Sequence, residues 1–151
     1  MNALSVFAAA CGFFAAACVG LWLKRKLIRK ASFYEGYYDY LLFAYEKISY
    51  ERMPIGELNT QYLLRKNGEF SSYLKGETTK GFLSEGQLAE VKEYLDGIGT
   101  TDADTQIASL ASKCSELKRF TETECAKYRK DGALYFKLSV LVGVAILILL
   151  A

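Results

Sequence analysis

Histidine is absent from this chain of 151 residues, and its four cysteines show none of the paired spacing of a zinc or redox motif. Without histidine the chain lacks the commonest general base and metal ligand, and the usual serine and cysteine triads are excluded. Cys114 and Cys125 lie about three helical turns apart, so they share a helix face but cannot form a disulfide. Gly76 and Gly81 have the spacing of a phosphate-binding loop, yet Phe82 follows where lysine is required. We therefore predict a protein that is not an enzyme, with no catalytic residue, no metal site and no cofactor.

Charged side chains are missing from the beginning of the chain. The run Ala3–Leu23 has 21 residues without a charge. As a helix it reaches about 31 Å, enough for a hydrocarbon core about 30 Å thick. A removed secretory leader is the alternative, but a leader needs positive residues before its apolar run, and only Met1 and Asn2 precede this one. We expect a first transmembrane helix over residues 1–23.

The end of the chain, Leu138–Ala151, also carries no charged side chain. Its length alone also suits a buried core helix, but it shows no polar face, which a helix packed at a protein surface would have. The run is long enough to cross if the span begins near residue 133 and Lys137 extends its ammonium group to the lipid headgroups. We expect a second transmembrane helix over residues 138–151.

Basic residues cluster beside both apolar runs. Lysine and arginine near a membrane-spanning segment stay on the cytoplasmic side. The clusters therefore place the segment 24–137 in the cytoplasm and both termini outside the cell membrane. The residues that set this orientation are Lys24, Arg25, Lys26, Arg29 and Lys30 after the first run, and Lys127, Arg129, Lys130 and Lys137 at the second.

The segment between these clusters is acidic. Residues 31–126 carry a formal charge of −6, whereas the flank 24–30 carries +5 and the flank 127–137 carries +3. Membrane orientation explains the basic flanks, and an acidic body repels phosphate backbones, so we expect no nucleic-acid partner. The segment 24–137 is long enough for a single small domain and too short for two.

Proline occurs once and alternating apolar residues are scarce, so the sequence predicts an all-α protein. We expect an antiparallel helical bundle between two terminal transmembrane helices, with the first and last helices continuous with the spans and paired with each other. Between the spans, Pro54 suits the first turn of a second helix, and a further helical turn around Phe70–Leu74 leads into a Gly76–Gly81 loop. A capping box at Ser84–Gln87 opens the next helix, and Asp102 starts the last one. The apolar stripe of that last helix is Ile107, Leu110, Ala111, Cys114, Leu117, Phe120 or Thr121, Cys125 and Tyr128.

Tyrosines are dense on the first predicted cytoplasmic helix, Ser32–Arg52. Tyrosine supplies a large contact area with a polar end, so these side chains suit a partner-binding surface. They equally suit a core face with aromatic residues near the membrane, which is the interpretation we favour. The residues concerned are Tyr34, Tyr37, Tyr38, Tyr40, Tyr45 and Tyr50.

Three stretches together resemble the stage III sporulation protein AB family. They are Ile48-Ser49-Tyr50 followed by Pro54-Ile55, the run Tyr94–Asp102 with Gln106, and the ending Tyr135–Gly143 before an isoleucine and leucine tail. The order of these stretches, combined with the two terminal spans, carries the resemblance. That family is similar to the cytoplasmic F domains of the platform protein of type II secretion and type IV pilus systems.

The resemblance implies a helical-bundle scaffold in the mother-cell membrane facing the forespore, within the channel complex that joins the two cells. It implies a companion cytoplasmic ATPase and other channel subunits as partners, and it carries over no catalytic residue. Self-association into a homo-oligomer is compatible with this role. Gly99, Asp102 and Gln106 correspond to recurring residues of the family, and two interpretations stay open for them: helix-start geometry, or contact with a partner.

Two other functions compete with this one. The first is a membrane-anchored helical adaptor or regulator unrelated to sporulation, which keeps the topology and drops the family. The second is a membrane enzyme that uses the carboxylates of Asp39, Glu46, Glu51 and Glu57. Carboxylates at such spacing usually form a solvated helix face, so we favour the non-enzymatic interpretations.

Overall fold

The computed structural model describes residues 3–77 and 81–150, and over these residues the protein is helical without strands. The all-α prediction is therefore confirmed. The helix predicted over Ser32–Arg52 also continues the first apolar run without a break, as expected, and ends at Glu51. The helices are α1 (Ala3–Glu51), α2 (Ile55–Arg65), α3 (Glu69–Leu74), α4 (Glu85–Gly97), α5 (Ala103–Phe120) and α6 (Ala126–Leu150), with a π-helical turn, Thr121–Cys125, joining the last two.

The chain forms two compact units. The terminal unit consists of Met1–Ile28 and Lys127–Ala151, and the central unit consists of Arg29–Ala126. Two helical segments, Val6–Glu51 and Ala103–Leu149, are long and apolar enough to cross a membrane, with mean hydropathies of 2.1 and 2.2 in their most apolar windows. Two candidate membrane-spanning helices are thus present, which is consistent with a membrane location.

Glycines bring the two helices of the terminal unit into close contact. A Cβ atom at Gly20 would overlap the side chain of Ser139, and a Cβ at Gly143 would lie 2.8 Å from Cδ2 of Phe13. Phe13 meets Gly143, and the later Gly20 meets the earlier Ser139. The two apolar segments therefore run antiparallel to each other. Small residues at a helix interface permit this close approach of two backbones.

Aromatic side chains from four elements build the core of the central unit. Phe33 of α1 contacts Phe70 of α3, with ring centroids 5.4 Å apart, and Phe82, at 6.1 Å. Tyr62 of α2 packs edge-on against Tyr40, at 5.1 Å, and donates a hydrogen bond to the Gly36 carbonyl at 3.0 Å. Edge-to-face pairs of this kind add to the stabilisation from apolar burial. The short helices α2 and α3 are held by this aromatic cluster.

Three of the six tyrosines of α1 belong to the core. Tyr34, Tyr37 and Tyr40 are buried, whereas Tyr50 is 85% exposed. Burial is repeated at Leu41, Ala44 and Ile48, in the three- and four-residue steps of one helix face. The favoured interpretation of a core face is therefore correct for Tyr34, Tyr37 and Tyr40.

The π-helical turn shifts the register of the last helix. Leu110, Cys114 and Leu117 lie buried along α5, and Cys125, the last residue of the turn, is also fully buried, with its Sγ donating to the Ala31 carbonyl at 3.7 Å. One member of the predicted stripe is wrong, because Ala111 is exposed. It lies one residue beyond Leu110, about 100° around the helix from the buried face.

The capping prediction is confirmed at α4. Ser84 Oγ accepts from the Gln87 N–H at 3.3 Å, and Gln87 Oε1 accepts from the Ser84 N–H at 3.2 Å. Pro54 differs slightly from expectation, since it is the residue before the first turn of α2 rather than within it. The predicted Gly76–Gly81 loop lies partly outside the described residues, at positions 78–80.

Candidate partner-contact site

The connection between α4 and α5 contains two of the residues singled out by the sequence. Gly99 has φ +93°, a conformation that favours glycine, and a Cβ there would overlap the Ile55 side chain. Asp102 begins α5, and its Oδ2 accepts the Thr105 N–H at 3.1 Å. This bond from the backbone N–H of Thr105 lowers the pKa of the Asp102 carboxyl. Asp102 thus has the geometry of a helix start, whereas Gly99, the residue after the C-cap of α4, has the left-handed conformation of a helix end.

Gln106, the third of these residues, lies one turn into α5. Its backbone N–H donates to the Asp102 carbonyl at 3.0 Å. The residue is only 8% exposed, and its side-chain amide makes no hydrogen bond to any residue in 3–77 or 81–150. The hydrogen-bonding capacity of this amide is therefore not used by the described part of the chain.

The Gln106 side chain lines a groove between α4 and α5, with a volume of about 480 Å³. We call it the α4–α5 groove. The fully buried Leu110 and the half-buried Ile98 supply its apolar part. Its polar part consists mainly of hydroxyl groups, from Tyr94, Thr100, Thr101, Thr105 and Ser109. A concave, mostly apolar surface with a few polar groups is the usual form of a binding site.

Lys113 lines the groove and forms ion pairs with two glutamates. Its ammonium Nζ lies 2.9 and 3.0 Å from the two carboxylate oxygens of Glu116, 3.8 Å from Glu90, and 5.7 Å from the centre of the Tyr94 ring. The Lys113 side chain is 17% exposed, whereas that of Glu90 is 74% exposed. Burial raises the pKa of the Tyr94 phenol, so the ring stays neutral at physiological pH.

A second cleft, of about 490 Å³, lies on the other side of the Glu90–Lys113 pair, beside α1. Tyr37 lines it, and the Tyr37 hydroxyl is buried without a hydrogen-bond partner among the described residues. Burial raises the pKa of the Tyr37 phenol, and the carboxylates of Glu90 and Glu116 raise it further. The hydroxyl is inaccessible to solvent, so it destabilises the core and cannot contact a ligand.

The basic residues assigned to membrane orientation lie in both units. In the terminal unit, the Lys24 ammonium lies 5.2 Å from the Phe136 ring centre, and that of Lys26 lies 5.2 Å from the Trp22 ring centre. In the central unit, Arg29 binds both carboxylate oxygens of Glu69, at 2.7 and 3.0 Å. The sequence contains no local signal for this pair, because its partners are 40 residues apart. Arg29 therefore has a structural role that sequence reasoning missed.

The carboxylates of the competing enzyme hypothesis lie on exposed helix surfaces or in ion pairs. Asp39 lies 3.2 Å from Lys66, Glu51 pairs with Lys47, and Glu46 and Glu57 are exposed. Within residues 3–77 and 81–150, no group of three cysteine or carboxylate side chains is placed to hold a metal ion. The structure thus gathers these carboxylates into no common site within the described residues.

Comparison with known proteins gives one informative result. The family model of stage III sporulation protein AB matches residues 69–151, which include the α4–α5 groove and the whole last helix. Searches of curated proteins and of solved structures gave no match. That family is not a known enzyme family. Because the match covers more than half of the chain, this protein belongs to the stage III sporulation protein AB family and has a sporulation-related role.

Proposed function

We propose that this protein is a non-enzymatic platform subunit of the channel complex between mother cell and forespore. The observation that carries the proposal is the layout of the chain: both ends are apolar helices that pair with each other, and an acidic helical unit lies between them in the sequence. Such a layout holds a folded surface at a membrane, as a scaffold requires. The family match supports the link to sporulation.

In this proposal the protein crosses the mother-cell membrane twice, with both termini outside and the central unit in the cytoplasm. The basic residues beside the two apolar segments support this orientation. The proposed membrane-spanning parts are residues 1–23 and 138–151, and residues 24–137 form the cytoplasmic domain. The central unit would offer the α4–α5 groove to a partner such as a companion cytoplasmic ATPase, and the spans would contact other channel subunits.

Cysteine labelling tests the orientation. Leu64 is exposed on α2, so a Leu64→Cys variant presents a reactive thiol on the central unit. The native Cys114 and Cys125 are buried, and Cys11 and Cys18 lie within the first apolar run. In growing, non-sporulating cells that express the protein, a membrane-impermeant maleimide should label Leu64→Cys only after the cells are permeabilised, and should label an Asn2→Cys variant in intact cells. Labelling of Leu64→Cys in intact cells would overturn the proposed orientation.

Co-purification from sporulating cells tests the platform role. The full chain, solubilised in mild detergent, should bring down an ATPase and small membrane proteins. Ser109 and Ser112 are both exposed on α5, but only Ser109 lines the α4–α5 groove. We expect Ser109→Arg to lose the cytoplasmic partner and Ser112→Arg, the matched control, to retain it. Recovery of unrelated regulators alone would favour the adaptor function instead.

A further inference from the structure

The unpartnered amide of Gln106 points to what the α4–α5 groove binds. Gln106 is more than nine-tenths buried, yet its amide bonds to no described residue. Solvent still reaches both amide atoms, through the groove that Gln106 lines. An amide that no protein group pairs, but that solvent reaches through a groove, bonds to water there, and the backbone groups of a ligand can replace that water.

We propose that the α4–α5 groove binds an extended, basic peptide segment of a partner protein, and that the Gln106 amide bonds to the backbone of that segment. The inference rests on the proposed platform function, because it names the kind of segment that a platform partner would insert.

The amide group explains why the segment is extended. A glutamine amide offers two N–H donors and a carbonyl acceptor, which match the acceptor and donor of a peptide unit. In a helix those backbone groups are already bonded within the helix, whereas an extended strand leaves them free. The hydroxyls of Thr101, Thr105 and Ser109 lie along the same groove and offer further donors and acceptors.

The charges of the groove explain why the segment is basic. Glu90 and Glu93 line it, and both are exposed. Lys113 is the cation among the lining residues, and its ammonium group is already engaged by Glu116 and Glu90. The Glu93 carboxylate has no ion pair among the described residues, so the groove presents uncompensated negative charge to a ligand. A lysine or arginine side chain of the partner complements it.

Nuclear magnetic resonance of the side-chain amides provides the direct test. The chain has three glutamines, Gln61, Gln87 and Gln106, so labelling with ¹⁵N-glutamine gives three pairs of side-chain N–H₂ signals. The full chain in zwitterionic detergent micelles would be titrated with acetyl-(Lys-Thr)₃-amide and, as the control, with acetyl-(Glu-Thr)₃-amide. We expect the lysine peptide to shift the Gln106 pair saturably, with Gln61 and Gln87 unmoved, and the glutamate peptide to shift none.

Variants measured by fluorescence anisotropy with the labelled lysine peptide complete the test. Loss of one neutral hydrogen bond predicts that Gln106→Leu raises the Kd about fivefold, with Gln61→Leu as the matched control. Glu93→Gln should raise the Kd about twofold, an effect abolished by high salt, whereas Glu85→Gln, at an exposed position of α4 outside the groove, should leave it unchanged. Ser109→Arg, at an exposed position, should block binding even if Gln106→Leu fails to fold.

Equal binding of the two peptides, an unmoved Gln106 signal, or an unchanged Kd in folded Gln106→Leu would each overturn the inference. These outcomes are separate from those of the platform proposal. A groove that binds the lysine peptide in a protein that recovers no channel subunit would leave the peptide site intact and refute the platform role. The reverse pattern would retain the platform and refute this peptide site.

Discussion

Leu110 has no exposed surface and lies where α5 packs into the core of the central unit, so Leu110→Asp tests the core directly. The variant loses the burial of a leucine side chain, about 2–3 kcal/mol. The carboxyl must also be neutral to remain inside, and protonating a group of ordinary pKa about 3.9 at pH 7 costs about 4 kcal/mol. The total, about 6–7 kcal/mol, is comparable with the whole stability of a small domain, about 5–15 kcal/mol. We expect the central unit to be largely unfolded.

Hydrogen–deuterium exchange of the full chain in detergent measures this loss. Peptides from residues 29–126 should lose their protection in Leu110→Asp. Ala111→Asp provides the control, because Ala111 is the next residue and is exposed, so its carboxylate stays solvated. We expect Ala111→Asp to retain the protection of the native protein.

The pH dependence has a defined sign. Burial raises the pKa of the new carboxyl in the folded state above its unfolded value, so the folded state binds the proton more firmly. The destabilisation by Leu110→Asp should therefore shrink as the pH falls, by about 1.4 kcal/mol for each pH unit between pH 7 and the unfolded pKa. Protection at pH 7 equal to that of Ala111→Asp would refute the assignment of Leu110 to the core.

Three further predictions concern a buried hydroxyl, a helix cap and the apolar helix pair. Tyr37→Phe removes an unpartnered hydroxyl and should raise the free energy of unfolding by about 1 kcal/mol, whereas Tyr62→Phe breaks a hydrogen bond and should lower it by a similar amount. Denaturant titration of the central unit measures both changes. A lower free energy of unfolding in both variants would contradict this prediction. The lowered pKa of Asp102 means that its stabilising contribution is present at neutral pH and is lost as the pH falls through its folded-state pKa. Asp102→Asn should abolish that part of the acid dependence of stability. An acid unfolding curve identical to that of the native protein would contradict this prediction. Gly20→Leu should separate the paired apolar helices and lower the temperature at which the detergent-solubilised chain unfolds. Ala15→Leu, at an exposed position, should leave that temperature unchanged. Equal melting temperatures of the two variants would argue against the pairing.

Features that depend on neighbouring residues could be predicted without the structure. The capping box at Ser84 and the helix start at Asp102 involve residues three positions apart, and both form as expected. The buried face of α1 follows from its helical period. The π-helical turn could not be predicted, because Thr121–Cys125 has no sequence signal that distinguishes it from an α-helix, and packing of Cys125 against Ala31 accompanies the shift.

The candidate site divides in the same way. Gly99 and Asp102 were identified from the sequence, and each has a local helix-end geometry: Asp102 caps the start of α5, and Gly99 follows the end of α4. The unpaired, buried state of Gln106 was not visible there, since it depends on how α4 and α5 pack. The charge cluster around Lys113 was missed for the same reason, because Glu90 lies on the neighbouring helix.

The sequence by itself determined the helical class, the two apolar ends and the acidic middle, because composition and short-range periodicity carry all three. The family resemblance was also visible there, in the order of three short stretches along the chain. Only the tertiary structure decided that the apolar helices pair through their glycines, that Arg29 binds Glu69, and that Gln106 lies unpartnered in a groove. Each of these joins residues distant in the chain or on different helices, and their meeting is fixed by the packing of whole helices rather than by local preference.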